Sequence, residues 1–273
     1  MLCTTEKMFE EARSGHFAVP APDFWNSNSC RVFTRTAEEL KKPLCLSFAE
    51  VHLSMMDVEE AAMIGCFYAK RAGVPVALHL DHGVSMPLIE DAIRYGFTSV
   101  MIDASADSFE ENVRKTREVV KMAHAAGVVV EGEIGHVGVN EGDSARSAEG
   151  SVYTEVDDAV CFVKETGVDS LAVSIGTSHG LYKGEPVLSF TRLMELRKAL
   201  PVPLVLHGGS GTGDENLCRC AREGISKINL YTDFIVAAYR SVKVNEPENW
   251  PALLKTSEDS IQNVLRHYYR VFG

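Results

Sequence analysis

A glycine followed by an apolar run recurs along the chain and marks its organisation. In five segments a helix-like stretch ends at a glycine and a run rich in β-branched residues follows: RAGVPVALHLD, RYGFTSVMIDAS, AAGVVVEGEIG, ETGVDSLAVSIG and REGISKINLYT. Glycine commonly ends a helix because it adopts a left-handed backbone without steric cost. We therefore predict left-handed helix ends at Gly73, Gly96, Gly127, Gly167 and Gly224.

The stretches before these glycines carry helix signals of their own. Ser108 stands three residues before Glu111, and Thr154 stands three residues before Asp157. At that spacing a hydroxyl caps the first turn of a helix, and an approximate apolar stripe follows in both cases. We therefore predict helices that begin at these two positions and alternate with strands.

Eight strand candidates emerge when the runs FAVPA, LCLSF and LVLHGGS are added to the five. They begin near residues 17, 44, 75, 99, 128, 170, 204 and 227. Most are apolar on both faces, which is typical of parallel strands covered on both sides. Eight βα units of about 30 residues predict one TIM barrel, a (β/α)8 domain over residues 1–273, with a doubly wound open sheet as the alternative.

One spacing between predicted strands is longer than the others, namely the stretch that separates the fifth and sixth strands. The excess is GHVGVNEGDSARSAEGS, which is rich in Gly, Ser and acidic residues and has no helical period. Long segments of this kind are commonly active-site loops. We predict a mobile loop at about residues 136–152.

The composition excludes several classes of protein. Of 273 residues, 45% are hydrophobic and 24% are charged, the balance of a globular rather than a disordered chain. A net charge of -11 is unfavourable for binding nucleic acid or anionic membranes. No signal peptide or membrane-length apolar run is present, and seven scattered cysteines predict free thiols in the cytoplasm.

Histidines follow three of the predicted strands, at the carboxyl ends where barrels carry their chemistry. A lone histidine there is more often structural, but His82, His179 and His207 would converge at one mouth. Three imidazoles with an open fourth position suit a catalytic Zn²⁺. Asp103 and Glu133 also lie near the rim, as acceptors for the imidazoles or as a second metal position.

A histidine within the third strand and the segments after the seventh and eighth strands are also polar or glycine-rich. His79 lies within the third strand rather than at its end, so we predict a structural role for it. The glycines of HGGSG and the segment NLYT follow the seventh and eighth strands, the usual place where backbone N–H groups hold a phosphate in a barrel.

These stretches resemble the metal-dependent (class II) fructose-bisphosphate and tagatose-bisphosphate aldolase family, including its ketose-phosphate aldolase branches. The matching segments are PVALHLDHG, VMIDAS, VEGEIGHVG, GVDSLAVSIGTSHGLYKGEP, PLVLHGGSG and KINLYTD, which lie in order between residues 75 and 233.

The resemblance implies roles for individual residues. His82, His179 and His207 would bind one catalytic Zn²⁺ per subunit, with Asp81 as the acid/base and Glu141, on the long loop, as the enolising base. Asp103 and Glu133 would form a second or alternative metal position, and a monovalent cation is a further cofactor to consider. Positions that match the dihydroxyacetone phosphate site are Gly180, Gly208, Gly209, Ser210, Asn229 and Thr232, and Lys183 lies nearby.

Three departures from the family pattern concern the substrate. Asp23 stands where bisphosphate-specific members carry Asn, Ala49 where they carry a serine for the distal phosphate, and Tyr231 where fructose-specific members carry Asp. The resemblance thus implies reversible aldol cleavage of a ketose phosphate or ketose 1,6-bisphosphate to dihydroxyacetone phosphate and an aldehyde, through a metal-stabilised enediolate. It also implies a homodimer or homotetramer.

Two other functions are compatible with a TIM barrel that carries histidines at its strand ends. A metal-dependent hydrolase on a TIM barrel predicts His-x-His on the first strand, and FAVPAPDF contains none. A non-catalytic sugar-phosphate-binding barrel is expected to lack the acid or the metal ligands, whereas Asp81 and all three histidines are present.

Overall fold

The computed structural model describes residues 1–135, 138–139, 153–180, 184 and 186–273, with only the backbone for 138 and 139. The predicted site residues Glu141 and Lys183 lie outside the described residues, as does most of the predicted loop at 136–152.

Eight parallel strands form one sheet that curls into a nearly closed barrel. Its strand order is β1-β10-β9-β7-β5-β4-β3-β2, and the backbone N–H of Phe24, beyond β1, donates to Ser47 O of β2 at 2.9 Å. The predicted TIM barrel is confirmed, and the open doubly wound sheet was the wrong alternative. The strands are β1 Val19–Pro22, β2 Leu44–Ala49, β3 Val76–Gly83, β4 Ser99–Ile102, β5 Val129–Ile134, β7 Ser170–Val173, β9 Leu204–Leu206 and β10 Ile225–Leu230.

Two further strands lie outside the barrel sheet. β6 (Gly138–Val139) pairs in parallel with β8 (Ser178–His179). This short pair sits beyond the carboxyl ends of β5 and β7, so it brings β8 to the mouth of the barrel.

Helices alternate with the strands and cover the barrel. They are α1 Glu6–Gly15, α2 Ser27–Leu40, α3 Val58–Arg71, α4 Met86–Tyr95, α5 Phe109–Ala125, α6 Val156–Thr166, α7 Phe190–Ala199, α8 Asp214–Glu223, α9 Thr232–Asn245 and α10 Trp250–Phe272, with a 3-10 helix at Glu50–Ser54. α1 precedes the first strand, and its Met8 and Phe9 are buried with Val19 and Cys45 of β1 and β2.

Four of the five predicted helix-ending glycines have positive φ, and one does not. Gly96, Gly127, Gly167 and Gly224 have φ of +107°, +73°, +74° and +135°. The prediction for Gly73 was wrong because α3 already ends at Arg71. The Gly73 N–H instead donates to Glu38 Oε1 of α2 at 2.8 Å, an interaction that needs no left-handed backbone.

The two predicted helix starts had different outcomes. Ser108 caps α5 and accepts a hydrogen bond from the Glu111 N–H at 3.3 Å. The prediction for Thr154 was wrong, because its hydroxyl donates to Ile134 O at 2.7 Å and accepts from the Ser174 N–H at 2.8 Å. The side chain thereby joins the ends of β5 and β7 rather than capping α6.

The cysteines, the helix lengths and the C-terminal aromatic residues can also be compared with the sequence. All seven cysteines are free thiols. Among the described residues no helix combines the length and apolar character that crossing a membrane requires. The aromatic residues near the C-terminus, Tyr268, Tyr269 and Phe272, are buried in their own chain, so they give no indication of a subunit interface.

Candidate active site

Three imidazoles meet at the carboxyl ends of the strands. His82 lies near the end of β3, His179 in β8, and His207 directly after β9. The Nε2 atom of His82 is 3.2 Å from His179 Nε2 and 2.9 Å from His207 Nδ1. The convergence expected from the strand ends is therefore present.

A local distortion of β3 brings two consecutive side chains to this point. Residues 81 and 82 of a regular strand would face opposite sides of the sheet. The pairing register of β3 with β4 shifts between Leu80 and Gly83, and His82 has a left-handed backbone with φ +46°. Asp81 Oδ2 consequently lies 3.9 Å from His82 Nε2. A non-glycine residue in this conformation is uncommon and often marks a functional site.

Gly208 allows the segment after β9 to pack against β8. Its φ is +69°, and a Cβ atom on it would lie 2.5 Å from Ser178 O. Any side chain at this position would therefore push the loop that carries His207 away from the strand that carries His179.

A carboxylate fixes the outer nitrogen of two imidazoles. His82 Nδ1 donates to Asp103 Oδ2 at 2.8 Å, and His207 Nε2 donates to Glu131 Oε1 at 2.9 Å. Because carboxylates only accept, these contacts assign the protons and leave His82 Nε2 and His207 Nδ1 as the inward-facing atoms. Two neutral imidazoles would point lone pairs at each other there, so either a proton or a metal ion must lie between these two atoms.

The donor set fits a metal ion. Nitrogen ligands of tetrahedral Zn²⁺ lie about 3.3 Å apart at ordinary bond lengths, close to the 2.9 and 3.2 Å separations from His82. Burial lowers the pKa of His207 well below its usual value, and the neighbouring His82 lowers it further. The ring therefore stays neutral, which is the form that binds a metal ion. His82, His179 and His207 could therefore hold one metal ion together.

Beneath the imidazoles lies a buried lysine that we did not predict as a site residue. Lys227 of β10 is fully buried, and its Nζ is 2.8 and 2.9 Å from the Glu131 oxygens and 3.0 Å from His79 Nε2. Since an ammonium only donates, His79 Nε2 accepts and Nδ1 donates to Ser99 Oγ at 2.8 Å. The predicted structural role of His79 therefore agrees with its contacts.

Charged residues inside otherwise apolar strands were the signal that could have revealed this network. Lys227 stands within ISKINL and Glu131 within VVEGEI. A charge that is buried in the lumen must find an opposite charge. The sequence did not indicate which carboxylate would meet the lysine, because the two strands are far apart in the chain.

Asp81 is held as a carboxylate beside the imidazoles. Asn229 Nδ2 donates to Asp81 Oδ1 at 2.6 Å, and Lys227 Nζ lies 3.9 Å from the same oxygen. Burial raises the pKa of Asp81, but the neighbouring His82, His207 and Lys227 side chains and the Asn229 hydrogen bond lower it by more, to about 2. The carboxylate is therefore ionised and available to accept a proton.

Glu133 and Asp103 flank His82 and form a second group that could hold a metal. Glu133 is buried, and its Oε2 has no hydrogen-bond partner within the described part of the chain. Burial, followed by the charge of Asp103, raises the pKa of Glu133 to about 8. A buried carboxyl oxygen without a donor suits a cation or a substrate hydroxyl.

A cavity of about 450 Å³ opens over these groups. The predicted residues that line it are Asp23, Asp81, His82, Asp103, Glu133, His179, Gly180, Gly208, Gly209, Ser210, Asn229, Tyr231 and Thr232. A larger cavity of about 780 Å³ lies between α8, α9 and α10, but no residue of the imidazole cluster lines it.

One wall of the smaller cavity presents a helix start. α9 begins at Thr232, and the Ser210 hydroxyl accepts hydrogen bonds from the N–H groups of Tyr231 at 3.1 Å and Asp233 at 3.3 Å. The first turn of a helix offers further N–H groups and a partial positive charge to an anion. This wall has the features of a phosphate site.

Comparisons with known proteins identify a family and relatives that this chain resembles over its length. Residues 3–273 match the family described as fructose-bisphosphate aldolase class-II. The chain is 38% identical to YdjI of Escherichia coli (strain K12) over 273 residues, with 100% of this chain and 98% of that protein covered.

Solved structures of aldolases are similar to this chain over nearly its whole length. The crystal structure of the YdjI aldolase from Escherichia coli K12 aligns with a TM-score of 0.91 at 36% identity, covering 100% of this chain and 98% of that one. A putative fructose-1,6-bisphosphate aldolase from Coccidioides immitis aligns with a TM-score of 0.85 at 26% identity over 98% of this chain and 96% of the other.

Proposed function

Because the chain belongs to the class II fructose-bisphosphate aldolase family, we propose that it is a zinc enzyme that cleaves a ketose phosphate reversibly into dihydroxyacetone phosphate and an aldehyde. It is an aldolase, a carbon–carbon lyase. The observation that carries the proposal is the convergence of His82, His179 and His207 beside the ionised Asp81, with the outer nitrogens of His82 and His207 bound to carboxylates.

The three imidazoles would hold Zn²⁺, with Asp103 and Glu133 as a second or alternative position. When bound, Zn²⁺ supplies Lewis-acid stabilisation of the negative charge that develops on the ketone half as the carbon–carbon bond breaks. The carboxylates that orient His82 and His207 would keep these two rings aimed at the ion and more basic than free imidazole.

Asp81 is proposed as the acid/base. In the cleavage direction it accepts the proton of the hydroxyl on the carbon that becomes the aldehyde. Its Oδ1 is fixed by Asn229 at 2.6 Å, which leaves the other carboxylate oxygen, Oδ2, on the side of His82. In the condensation direction the same group returns that proton.

The phosphate of the ketone half would bind where the segment after β9 meets the start of α9. Gly208, Gly209 and Ser210 line the cavity together with Thr232, and Gly180, which follows β8, lines it as well. The net charge of -11 repels an anion at long range. Backbone N–H groups and a helix N-terminus attract the phosphate at short range, so they can bind it despite that charge.

Two proposed roles concern residues outside the described part of the chain. Glu141 would supply the proton to the carbon of the ketone half, and Lys183 would contact the substrate phosphate. Both remain predictions, as do the monovalent cation, the assembly into a homodimer or homotetramer and the cytoplasmic location expected from the scattered cysteines.

A cleavage assay tests the proposal. The protein is incubated with a panel of ketose 1-phosphates and ketose 1,6-bisphosphates, and dihydroxyacetone phosphate is measured before chelation, after chelation and after zinc is restored. We expect release of dihydroxyacetone phosphate that disappears with the metal and returns with zinc. Release of inorganic phosphate alone would instead indicate a hydrolase, and binding without turnover a non-catalytic barrel.

A further inference from the structure

One side of the cavity rim contains none of the three clustered imidazoles. Its strands are β10, β1 and β2, which are followed at their carboxyl ends by Tyr231, Asp23 and the 3-10 helix that carries His52. All three side chains line the cavity, as does Ala49 at the end of β2. This side therefore faces whatever part of a substrate extends away from the imidazole cluster.

Asp23 is buried here without a donor. Its side chain is 6% exposed, and its Oδ1 has no hydrogen-bond partner among the residues that the structure describes. Burial, and then the nearby Asp81, raise the pKa of Asp23 well above its usual value. In either protonation state one carboxyl oxygen accepts, and a buried acceptor without a donor is costly. A substrate that supplies a donor would remove that cost.

Tyr231 and His52 complete the wall around Asp23. Their rings are in contact, with centroids 4.5 Å apart and planes tilted by 43°. Burial raises the pKa of Tyr231, and the carboxyl group of Asp23 raises it further. His52 is buried, and its Nδ1 also has no partner in the described ranges. The phenol and the imidazole can each donate or accept one hydrogen bond.

No cationic side chain in the described lining of the cavity would compensate a phosphate at this side. The lining contains no Lys or Arg within the described residues, and this side carries the carboxyl group of Asp23 with that of Asp81 close enough to act on it. Ala49 offers a methyl group and no hydroxyl. A phosphate dianion would bring only further negative charge and acceptors to a partly buried acidic wall.

We propose that Asp23, Tyr231 and His52 form the subsite for the aldehyde half of the substrate, and that this subsite selects an uncharged chain with hydroxyl groups over a phosphate ester. The inference rests on the proposed aldol chemistry and names the class of its second product. A hydroxyl of the aldehyde donates to the Asp23 carboxyl oxygen, and Tyr231 and His52 bind neighbouring hydroxyls.

Matched aldehydes test the subsite in the condensation direction. The zinc-loaded full chain receives dihydroxyacetone phosphate with glyceraldehyde or glyceraldehyde 3-phosphate, and with erythrose or erythrose 4-phosphate. We expect kcat/KM for the unphosphorylated member of each pair to be at least about tenfold higher. An equal or higher kcat/KM for both phosphorylated aldehydes would overturn the subsite proposal while leaving the proposed aldol chemistry intact. No condensation with any aldehyde would overturn both proposals.

Variants assign the selectivity to named residues. Asp23→Asn keeps the shape of the side chain, cannot be ionised and adds an N–H donor that a phosphate oxygen can accept from, so we expect the preference to fall by about tenfold or more. Asp91→Asn removes one charge from the outer helix α4 and is expected to leave the preference unchanged. An Asp23→Asn variant that retains bound zinc and the full wild-type preference would contradict the proposal.

Tyr231→Phe provides a second measurement that does not alter charge. Loss of the hydroxyl is expected to lower kcat/KM for glyceraldehyde and erythrose and to leave the low values for their phosphates unchanged. An equal loss for both members of each pair, with zinc content intact, would argue against a hydrogen bond from Tyr231 to the hydroxylated chain.

Discussion

The ammonium of Lys227 lies 2.9 and 2.8 Å from the two carboxylate oxygens of Glu131, and both side chains are buried inside the barrel. Glu131 in turn accepts from His207 Nε2, so the pair lies directly behind one ring of the imidazole cluster. His79, Asp81 and Glu131 could by their spacing hold a cation of their own. Lys227 already supplies a positive charge to that group.

Removing this positive charge should destabilise the protein. Lys227→Met fills a similar volume but leaves Glu131 buried without its cation, which typically costs about 3–5 kcal/mol of unfolding free energy. Denaturant unfolding of the metal-free protein measures the change. The double variant Lys227→Met/Glu131→Gln removes both charges and is expected to recover most of the loss. A single variant as stable as the wild type would show that Glu131 does not depend on Lys227.

Removing one imidazole should abolish tight zinc binding. His207→Ala deletes a proposed ligand whose outer nitrogen is fixed by Glu131, and the two remaining imidazoles form an incomplete site. Elemental analysis after gel filtration should find about one zinc per chain in the wild type and far less in the variant. His267→Ala, on the exposed face of α10, is the matched control. A His207→Ala variant that keeps one zinc would refute the assignment.

The architecture was accessible from the sequence because its signals are local. Each of the eight predicted strand starts lies within two residues of the start of a barrel strand. The convergence of His82, His179 and His207 could be predicted because parallel strands in a barrel all present their carboxyl ends at one mouth, whatever their distance along the chain.

Other features depended on partners that a local pattern cannot specify. Thr154 has the spacing of a helix cap, yet its hydroxyl joins Ile134 and Ser174 across two strand ends. Gly73 follows the same pattern as the other turn glycines, yet Glu38 of another helix holds its N–H. The left-handed backbone of His82 also follows from a register shift in the sheet rather than from its neighbours in sequence.

Asp81 should be required for bond cleavage but not for metal binding. Asp81→Asn preserves an oxygen for the hydrogen bond from Asn229 and removes the ability to accept a proton. We expect a loss of about 10²-fold or more in kcat for ketose phosphate cleavage, with one zinc retained. Asp259→Asn, exposed on α10 and paired with Lys255, is the control. Near-normal turnover of the zinc-loaded Asp81→Asn variant would assign the acid/base role elsewhere.

Zinc affinity should increase with pH, because a proton on His82 competes with the metal. Burial lowers the pKa of His82, but Asp81 and Asp103 raise it by more, to about 10, in the metal-free protein. Below that pH His82 Nε2 carries a proton that can be donated to His207 Nδ1, 2.9 Å away, and a metal ion must displace it.

The dependence has a definite slope. Each unit by which the pH falls below the pKa of His82 should weaken zinc binding by about tenfold, since one proton is released per metal bound. Chelator competition at several values between about pH 6 and pH 9 measures it. Asp103→Asn removes one cause of the raised pKa of His82, so its affinity should level off at a lower pH. An affinity independent of pH in the wild type would mean that no proton lies between His82 and His207 before the metal binds.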